Sequence, residues 1–529
     1  MEMKKVLSVL FLSLTLVSSN VFAAPAGHDA YKERYIEVQL LGTNDFHGQL
    51  DVYSTVDGQM AGGAEYLAAY LKAYEEQNKN TLIVHAGDMV GASSPVSSLL
   101  QDEPSVEFMN RVGFDVGTVG NHEFDEGVEE MMRLIDGGEH EVTGEFEGAN
   151  FPYTVANVVD EETEEPILPP YIIKKVNGMP IGFVGVVTTD TENIVLPSGI
   201  EGVTFTDEAT AINNAVEGLK AEGVKSIVVL AHVPASSDED GANPAGEVVD
   251  FAPQLDDEVD VILAGHNHSY TNAVVDGKLI VQSYSYGTAF SKIDLQIDPR
   301  TKDIVQKEAK IITTYHDGID PDSEIKDMVN GYVEAVDPLI NRVVGQTNEI
   351  ITRDQNEAGE SALGNLVADS QRAAMDTDFA FMNPGGIRTD LDEGEITWGE
   401  LYTMLPFGNS LVTMTLTGEQ IETLLEQQWA GSYPRILQLS GLHYTWDQNA
   451  PYGEKIMSMT DHEGQPIQPD GSYSVTVNNY IAEGGDGFTV LKEGENQTYG
   501  PLALDAMVEY IENQGGSIEA PELNRIAVE

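Results

Sequence analysis

A layered α/β fold in two domains follows from three features of the chain: short apolar runs alternating with helix-period segments, a change of texture near residues 317–346, and a second set of strands and helices behind it. In the first half the runs Ile36-Leu41, Thr81-Ala86, Val116-Val119, Ile181-Thr188, Ser226-Ala231 and Val259-Ala264 read as buried strands. Between them, Ala64-Tyr74 and Ala209-Leu219 carry apolar residues at three- and four-residue spacing, as amphipathic helices do. Asp320-Pro321-Asp322-Ser323 then caps a helix running through Ile325, Met328, Val329, Tyr332 and Val336, which separates the halves. The second half predicts helices over Ala362-Ala374 and Gly418-Trp429 and strands at Phe379-Met382, Leu411-Thr417 and Tyr473-Asn478. The acidic stretch Asp160-Glu165 and the Gly/Glu-rich Gly137-Gly148 read as surface loops.

Composition narrows the partners. The 529 residues include 88 Asp+Glu against 27 Lys+Arg, a formal net charge of -61. Such a chain is repelled by a nucleic-acid polymer or an anionic leaflet, so an anionic ligand needs a local positive exception. The acids are spread along the chain, which reads as a salt-adapted surface: at about 1 M salt the Debye length falls to about 3 Å and self-repulsion is screened. With 41% hydrophobic residues there is material for packed cores. The absence of cysteine excludes disulfides, thiolate ligands, a cysteine nucleophile and a lipidated cysteine. Lys4-Lys5, the apolar run Val6-Val17 and Val21-Phe22-Ala23-Ala24 form the plan of a cleavable signal over residues 1–23, so the product is expected to be periplasmic or secreted. No later segment has membrane-span character, and no membrane anchor is expected.

The ends of the strands carry the chemistry, because ligands of open α/β sheets gather at the carboxyl edge. The runs lead into Thr43-Asn44-Asp45-Phe46-His47, Gly87-Asp88, Gly120-Asn121-His122-Glu123-Phe124-Asp125, His232, and Gly265-His266-Asn267-His268. Five of the eleven histidines sit in these segments. A lone histidine after a strand is most often a hydrogen-bonded structural residue, but this concentration at one sheet edge points to a shared site. Carboxylate, amide and imidazole suit first-row divalent ions, and seven such groups exceed what one ion needs. Two ions sharing a bridging carboxylate, about 3.5–4 Å apart, can generate a hydroxide near neutral pH and clamp an in-line phosphoryl displacement. They also supply the positive exception that the net charge demands.

These motifs, in this order and spacing, resemble the complete set of the calcineurin-like metallophosphoesterases. Asn383-Pro384-Gly385-Gly386-Ile387-Arg388, Pro406-Phe407-Gly408-Asn409 and the segment from Asn479 to Phe488 resemble the C-terminal domain of the 5'-nucleotidase / UDP-sugar hydrolase family. The resemblance implies a four-layer catalytic β-sandwich flanked by helices over residues 34–316, an interdomain linker helix over 317–346, and a smaller α/β substrate-binding domain over 347–529. It makes Asp45, His47, Asp88 and His268 the ligands of one ion and Asp88, Asn121, His232 and His266 those of the other. The ions would be Zn, Mn, Co or Mg. His122 would contact the phosphoryl group, with Asp125 fixing its ring and favouring the imidazolium.

In the second domain the resemblance gives Asn383, Arg388 and Arg353 to substrate oxygens, Phe407 and Tyr480 to a sandwich around the base, and Asp486 to the ribose. Asn409 would contact the base or support its loop, and Asn121 would also touch substrate. For Arg353 a surface ion pair competes, and for the two aromatics a place in the core. The implied activity is hydrolysis of nucleoside 5'-phosphates such as AMP, and of ATP or UDP-sugars, by in-line attack of a metal-bound hydroxide, in a monomer or dimer. A 2',3'-cyclic-nucleotide 2'-phosphodiesterase/3'-nucleotidase shares the two-domain plan, and a non-catalytic nucleotide-binding protein could keep the fold. Gly485-Asp486-Gly487 favours the 5'-nucleotidase branch, and no metal ligand is missing.

Overall fold

A computed structural model describes residues 35–431 and 433–529, so the expected signal over 1–23 lies outside the described residues. The first half builds two facing sheets. One orders its strands Asp303–Thr313, Ala289–Asp298, Ile36–Thr43, Thr81–His85 and Val116–Gly117. The other runs Tyr270–Val275, Lys278–Ser283, Val259–Ala264, Ser226–His232, Met179–Val187 and Ile172–Val176. The central strands of both are parallel, so several carboxyl ends open at one rim. Val38, Leu40, Leu82, Val84, Phe183, Val228, Leu230 and Leu263 fill the space between the sheets. The apolar runs are continuous because these strands are covered on both faces.

Helices cover the outer faces. Ala64–Gln77 and Glu103–Val112 pack on the first sheet, and Glu208–Ala221 with Glu247–Phe251 on the second, giving the four layers expected. The helix Ser323–Ile340 is capped by Asp322, whose carboxylate accepts the Ile325 N–H at 3.0 Å. Its buried Ile325, Met328, Val329 and Val336 belong to the same core as the first helical layer. The segment Gly137–Gly148 is not a plain loop: Gly138–His140 and Gly144–Phe146 pair as a hairpin. Few apolar residues mark it, and Arg133 stacked 5.8 Å over Phe146 anchors it instead.

In the second half a five-stranded sheet runs Gln438–Ser440, Phe379–Met382, Ser472–Asn478, Ser410–Thr417 and Glu495–Leu502. The helices Ala362–Met375, Gly418–Gln427 and Ala503–Asn513 accompany it, the second opened by a reciprocal capping box between Thr417 and Gln420. Among the described residues no helix is long and apolar enough to cross a membrane.

Candidate active site

The expected ligand side chains converge at the open rim of the two sheets. Backbone hydrogen bonds lace their loops together: Asp45 N–H donates to the Gly87 carbonyl at 3.1 Å and His47 N–H to that of Asp88 at 3.0 Å. Asp45, His47, Asp88, His266 and His268 all have φ between 50° and 81°, the left-handed region that non-glycine residues rarely occupy. Such conformations persist only where surrounding structure over-determines them, and they cluster at functional sites. Two glycines allow the close approach. A Cβ on Gly87 would lie 2.6 Å from Gly120 N, and one on Gly120 would lie 2.2 Å from Asp88 Oδ1 and 2.7 Å from His232 Nδ1.

Ligand atoms fall into overlapping groups: Asp45 with His47 and His268, His47 with Asp88 and His122, and Asp88 with His232 and His266, each within 4.8 Å. Asp88 sits in the middle. Its Oδ2 lies 3.1 Å from His232 Nε2 and 3.8 Å from His47 Nε2, while Oδ1 accepts the His122 N–H at 2.9 Å. Asn121 Oδ1 lies 2.8 Å from His266 Nδ1 and 3.2 Å from His232 Nε2. His47 and His232 turn Nδ1 to the carbonyls of Gly91 and Ala86, both at 2.9 Å, which leaves Nε2 facing inward. Nε2 of His47 meets Nε2 of His268 at 3.1 Å, a convergence that only a proton or a cation relieves. With nitrogen and oxygen donors and no sulfur, the residues fit divalent first-row ions.

The electrostatics divide the histidines into two groups. Burial pushes His266 and His268 down to about 3 and His47 well below its ordinary value, keeping them neutral as ligands must be. Burial raises the Asp45 carboxyl, with the Asp88 charge adding to this and His232 opposing it, while the neighbouring His232 and His122 outweigh burial at Asp88 and hold its carboxyl well below the usual carboxylate range. Two histidines run the other way although burial lowers both: Asp88, with Oδ2 3.1 Å from Nε2, outweighs burial and raises His232 to about 9, and Asp125, with Oδ2 2.7 Å from Nδ1, holds His122 above its ordinary value.

Several supporting residues escaped the sequence reading. Glu123 accepts the N–H groups of Asp88 at 3.0 Å, Met89 at 2.8 Å and Gly120, tying two ligand loops to one carboxylate. Asn44 donates to Asp45 Oδ2 and to the Tyr284 carbonyl. Tyr286 sets its ring against both His47 and His268. Glu123 and Asn44 stand within the motifs themselves, whereas nothing local marks Tyr286.

A cleft of about 670 Å³ continues from this rim into the second half of the chain. Arg353, Asn383, Arg388, Phe407, Asn409, Tyr480 and Asp486 all line it, together with His122 and Asp125. Asn383 is buried and donates to Asp486 Oδ2 at 2.9 Å, and the Tyr480 hydroxyl donates to Asp486 Oδ1 at 3.2 Å. Arg353 is exposed and donates to the Ile387 carbonyl at 3.0 Å. Arg388 lies 5.7 Å over the Phe407 ring, against which the His122 imidazole stacks at 5.8 Å. Phe407 thus touches the metal-ligand half directly.

Clustered imidazoles and carboxylates at the rim of a four-layer sandwich define a calcineurin-like phosphoesterase, a fold that implies a dinuclear metal site. Residues 38–270 match the calcineurin-like phosphoesterase family, and residues 343–493 match the 5'-nucleotidase C-terminal domain. The chain is similar to endonuclease YhcR of Bacillus subtilis, 44% identical over 94% of this chain and 42% of that protein. It is 38% identical to cell wall protein Lmo0130 of Listeria monocytogenes, over 90% of this chain and 67% of that one. Among solved structures, a 5'-nucleotidase precursor from Thermus thermophilus superposes with TM-score 0.80 and 29% identity, covering 93% of this chain and 99% of that one. The chain therefore belongs to the calcineurin-like phosphoesterases that carry a 5'-nucleotidase C-terminal domain. It spans 42% and 67% of the two curated relatives named.

Proposed function

We propose that this chain is an exported, metal-dependent 5'-nucleotidase that hydrolyses nucleoside 5'-phosphates, and nucleoside di- and triphosphates or UDP-sugars, to release phosphate. The observation that carries this reading is the single cleft in which the metal-ligand groups face Phe407, Tyr480 and Asp486. Asp45, His47, Asp88, Asn121, His232, His266 and His268 would hold two divalent ions. Bound there, the ions supply Lewis acidity and a nucleophile at neutral pH. His122, its Nδ1 occupied by Asp125, presents a protonated Nε2 to a phosphoryl oxygen as negative charge builds. Arg388 and Arg353 orient the phosphate, Phe407 and Tyr480 stack on the base, and Asp486 accepts from the ribose hydroxyls. Residues 34–316 and 347–529 act as domains that rotate about the helix within 317–346 to admit nucleotide and release product.

Phosphate release from AMP, ATP and UDP-glucose by purified protein, with Mn, Co or Zn and after chelation, tests the reading. No metal-dependent release over a wide salt range would end it. Including 2',3'-cyclic AMP and 3'-AMP separates the cyclic phosphodiesterase, which would prefer the cyclic ester. Single-stranded DNA and RNA belong in the same panel because the Bacillus relative is named an endonuclease. The net charge of -61 favours the mononucleotide.

A further inference from the structure

A cationic residue outside every motif named above reaches into the nucleoside end of the cleft. Arg435 lies beyond the helix Gly418–Gln427, and its backbone is pinned where its N–H donates to the Gln428 carbonyl at 2.8 Å. Buried Gln428 also accepts the Leu437 N–H at 2.7 Å, so the start of this side chain is rigid. The side chain is 17% exposed, and its guanidinium lies 4.7 Å over the Tyr433 ring. Its Nε is 3.4 Å from Asp486 Oδ1, its Nη1 donates to the Asp486 backbone carbonyl at 3.5 Å, and its Nη2 is 3.7 Å from Asp190 Oδ2. Asp190 lies just beyond the strand Met179–Val187, in the metal-ligand half of the chain.

We propose that Arg435 is a positioning residue that sets Asp486 for the ribose hydroxyls and ties it across the cleft to Asp190, so that recognition of the sugar and closure of the cleft are one event. The proposal rests on the nucleotide reading above. Asp486 stands at φ 57° with a largely buried carboxylate, and its other partners, Asn383 and Tyr480, are neutral. Among the described residues Arg435 is the positive charge in contact with that carboxylate, and it also offsets the repulsion between Asp486 and Asp190. Its planar fork serves both carboxylates at once, which a lysine ammonium, a single point charge, cannot do. A carboxylate held in this way discriminates against sugars that lack the hydroxyls it is set to accept from, because it is then left buried and unpaired.

The test compares the metal-loaded wild type with Arg435→Gln and Arg435→Lys on AMP, 2',3'-dideoxy-AMP and p-nitrophenyl phosphate. In Arg435→Gln, KM for AMP should rise about tenfold while kcat changes less than about threefold. The preference for AMP over the dideoxy nucleotide, as the ratio of kcat/KM values, should fall by about the same factor. The loss on AMP should exceed the loss on p-nitrophenyl phosphate, and Arg435→Lys should recover part of it. Equal losses on all three substrates, or an unchanged AMP preference, overturn the proposal alone. A wild type that cleaves p-nitrophenyl phosphate with no preference for AMP overturns the nucleotide reading, and this proposal with it.

Discussion

Replacing Gly120 by alanine tests whether the tight crossing of the ligand loops sets catalytic geometry. The new Cβ would stand 2.2 Å from Asp88 Oδ1, 2.7 Å from His232 Nδ1 and 2.8 Å from Asp88 N. Ordinary carbon contacts begin near about 3.5 Å, so the Asp88 carboxylate or the whole loop must move by about 1 Å. The loop cannot yield freely, since Glu123 holds the N–H groups of both Asp88 and Gly120. Overpacking of this kind costs about 1–3 kcal/mol in stability. The effect on turnover is larger, because a displacement of about 1 Å at reacting groups costs about 100-fold. The expected result is therefore a folded protein with a modestly lowered melting temperature, reduced metal content by elemental analysis, and kcat/KM on AMP down about 100-fold. Gly331→Ala is the control: its Cβ meets nothing within 4 Å on the helix Ser323–Ile340, and it should stabilise by about 0.5–1 kcal/mol. A fully active, fully metallated Gly120→Ala protein would refute the claim that Asp88 is held by close packing.

Burial raises Asp260 to about 6 despite Lys307 at 3.0 Å, so the folded state binds this proton more tightly than the unfolded chain and stability from this group grows as pH falls from about 6 toward 4. Asp260→Asn should flatten that part of the profile, by at most about 3 kcal/mol between pH 7.5 and 4.5; superimposable urea profiles for the two proteins would count against it. Phe407→Ala removes a base-stacking face and the contact with His122, and should raise KM for AMP by about 10-fold, at about 1–3 kcal/mol per stacked base; an unchanged KM would assign the ring to packing alone. Activity and melting temperature should both rise from salt-free buffer toward about 1 M salt as the net charge is screened, and full activity and stability without salt would refute a salt-adapted surface.

The end of the molecule that carries the candidate ligands was legible because its signals are local. A strand covered on both faces appears as an unbroken apolar run, and a parallel sheet places its ligands on the residues immediately after such runs. Val259-Ala264 and Phe379-Met382 match the observed strands residue for residue. The hairpin at Gly138–Phe146 was hidden because short exposed strands lack the apolar period that reveals others. The contacts of Arg435 with Asp190 and of Phe407 with His122 join residues hundreds of positions apart, which no spacing rule records.

The left-handed backbone at five of the ligand positions carries a further consequence. Each such residue stores about 1–3 kcal/mol of conformational energy, which the folded protein offsets partly through backbone hydrogen bonds and partly through the interactions those side chains make. When those side-chain interactions are bonds to ions, chelation removes part of what offsets the tension, and the loops become the preferred place for the chain to open. A shortage of metal would then reduce how long the protein survives proteases, as well as how fast it turns over substrate.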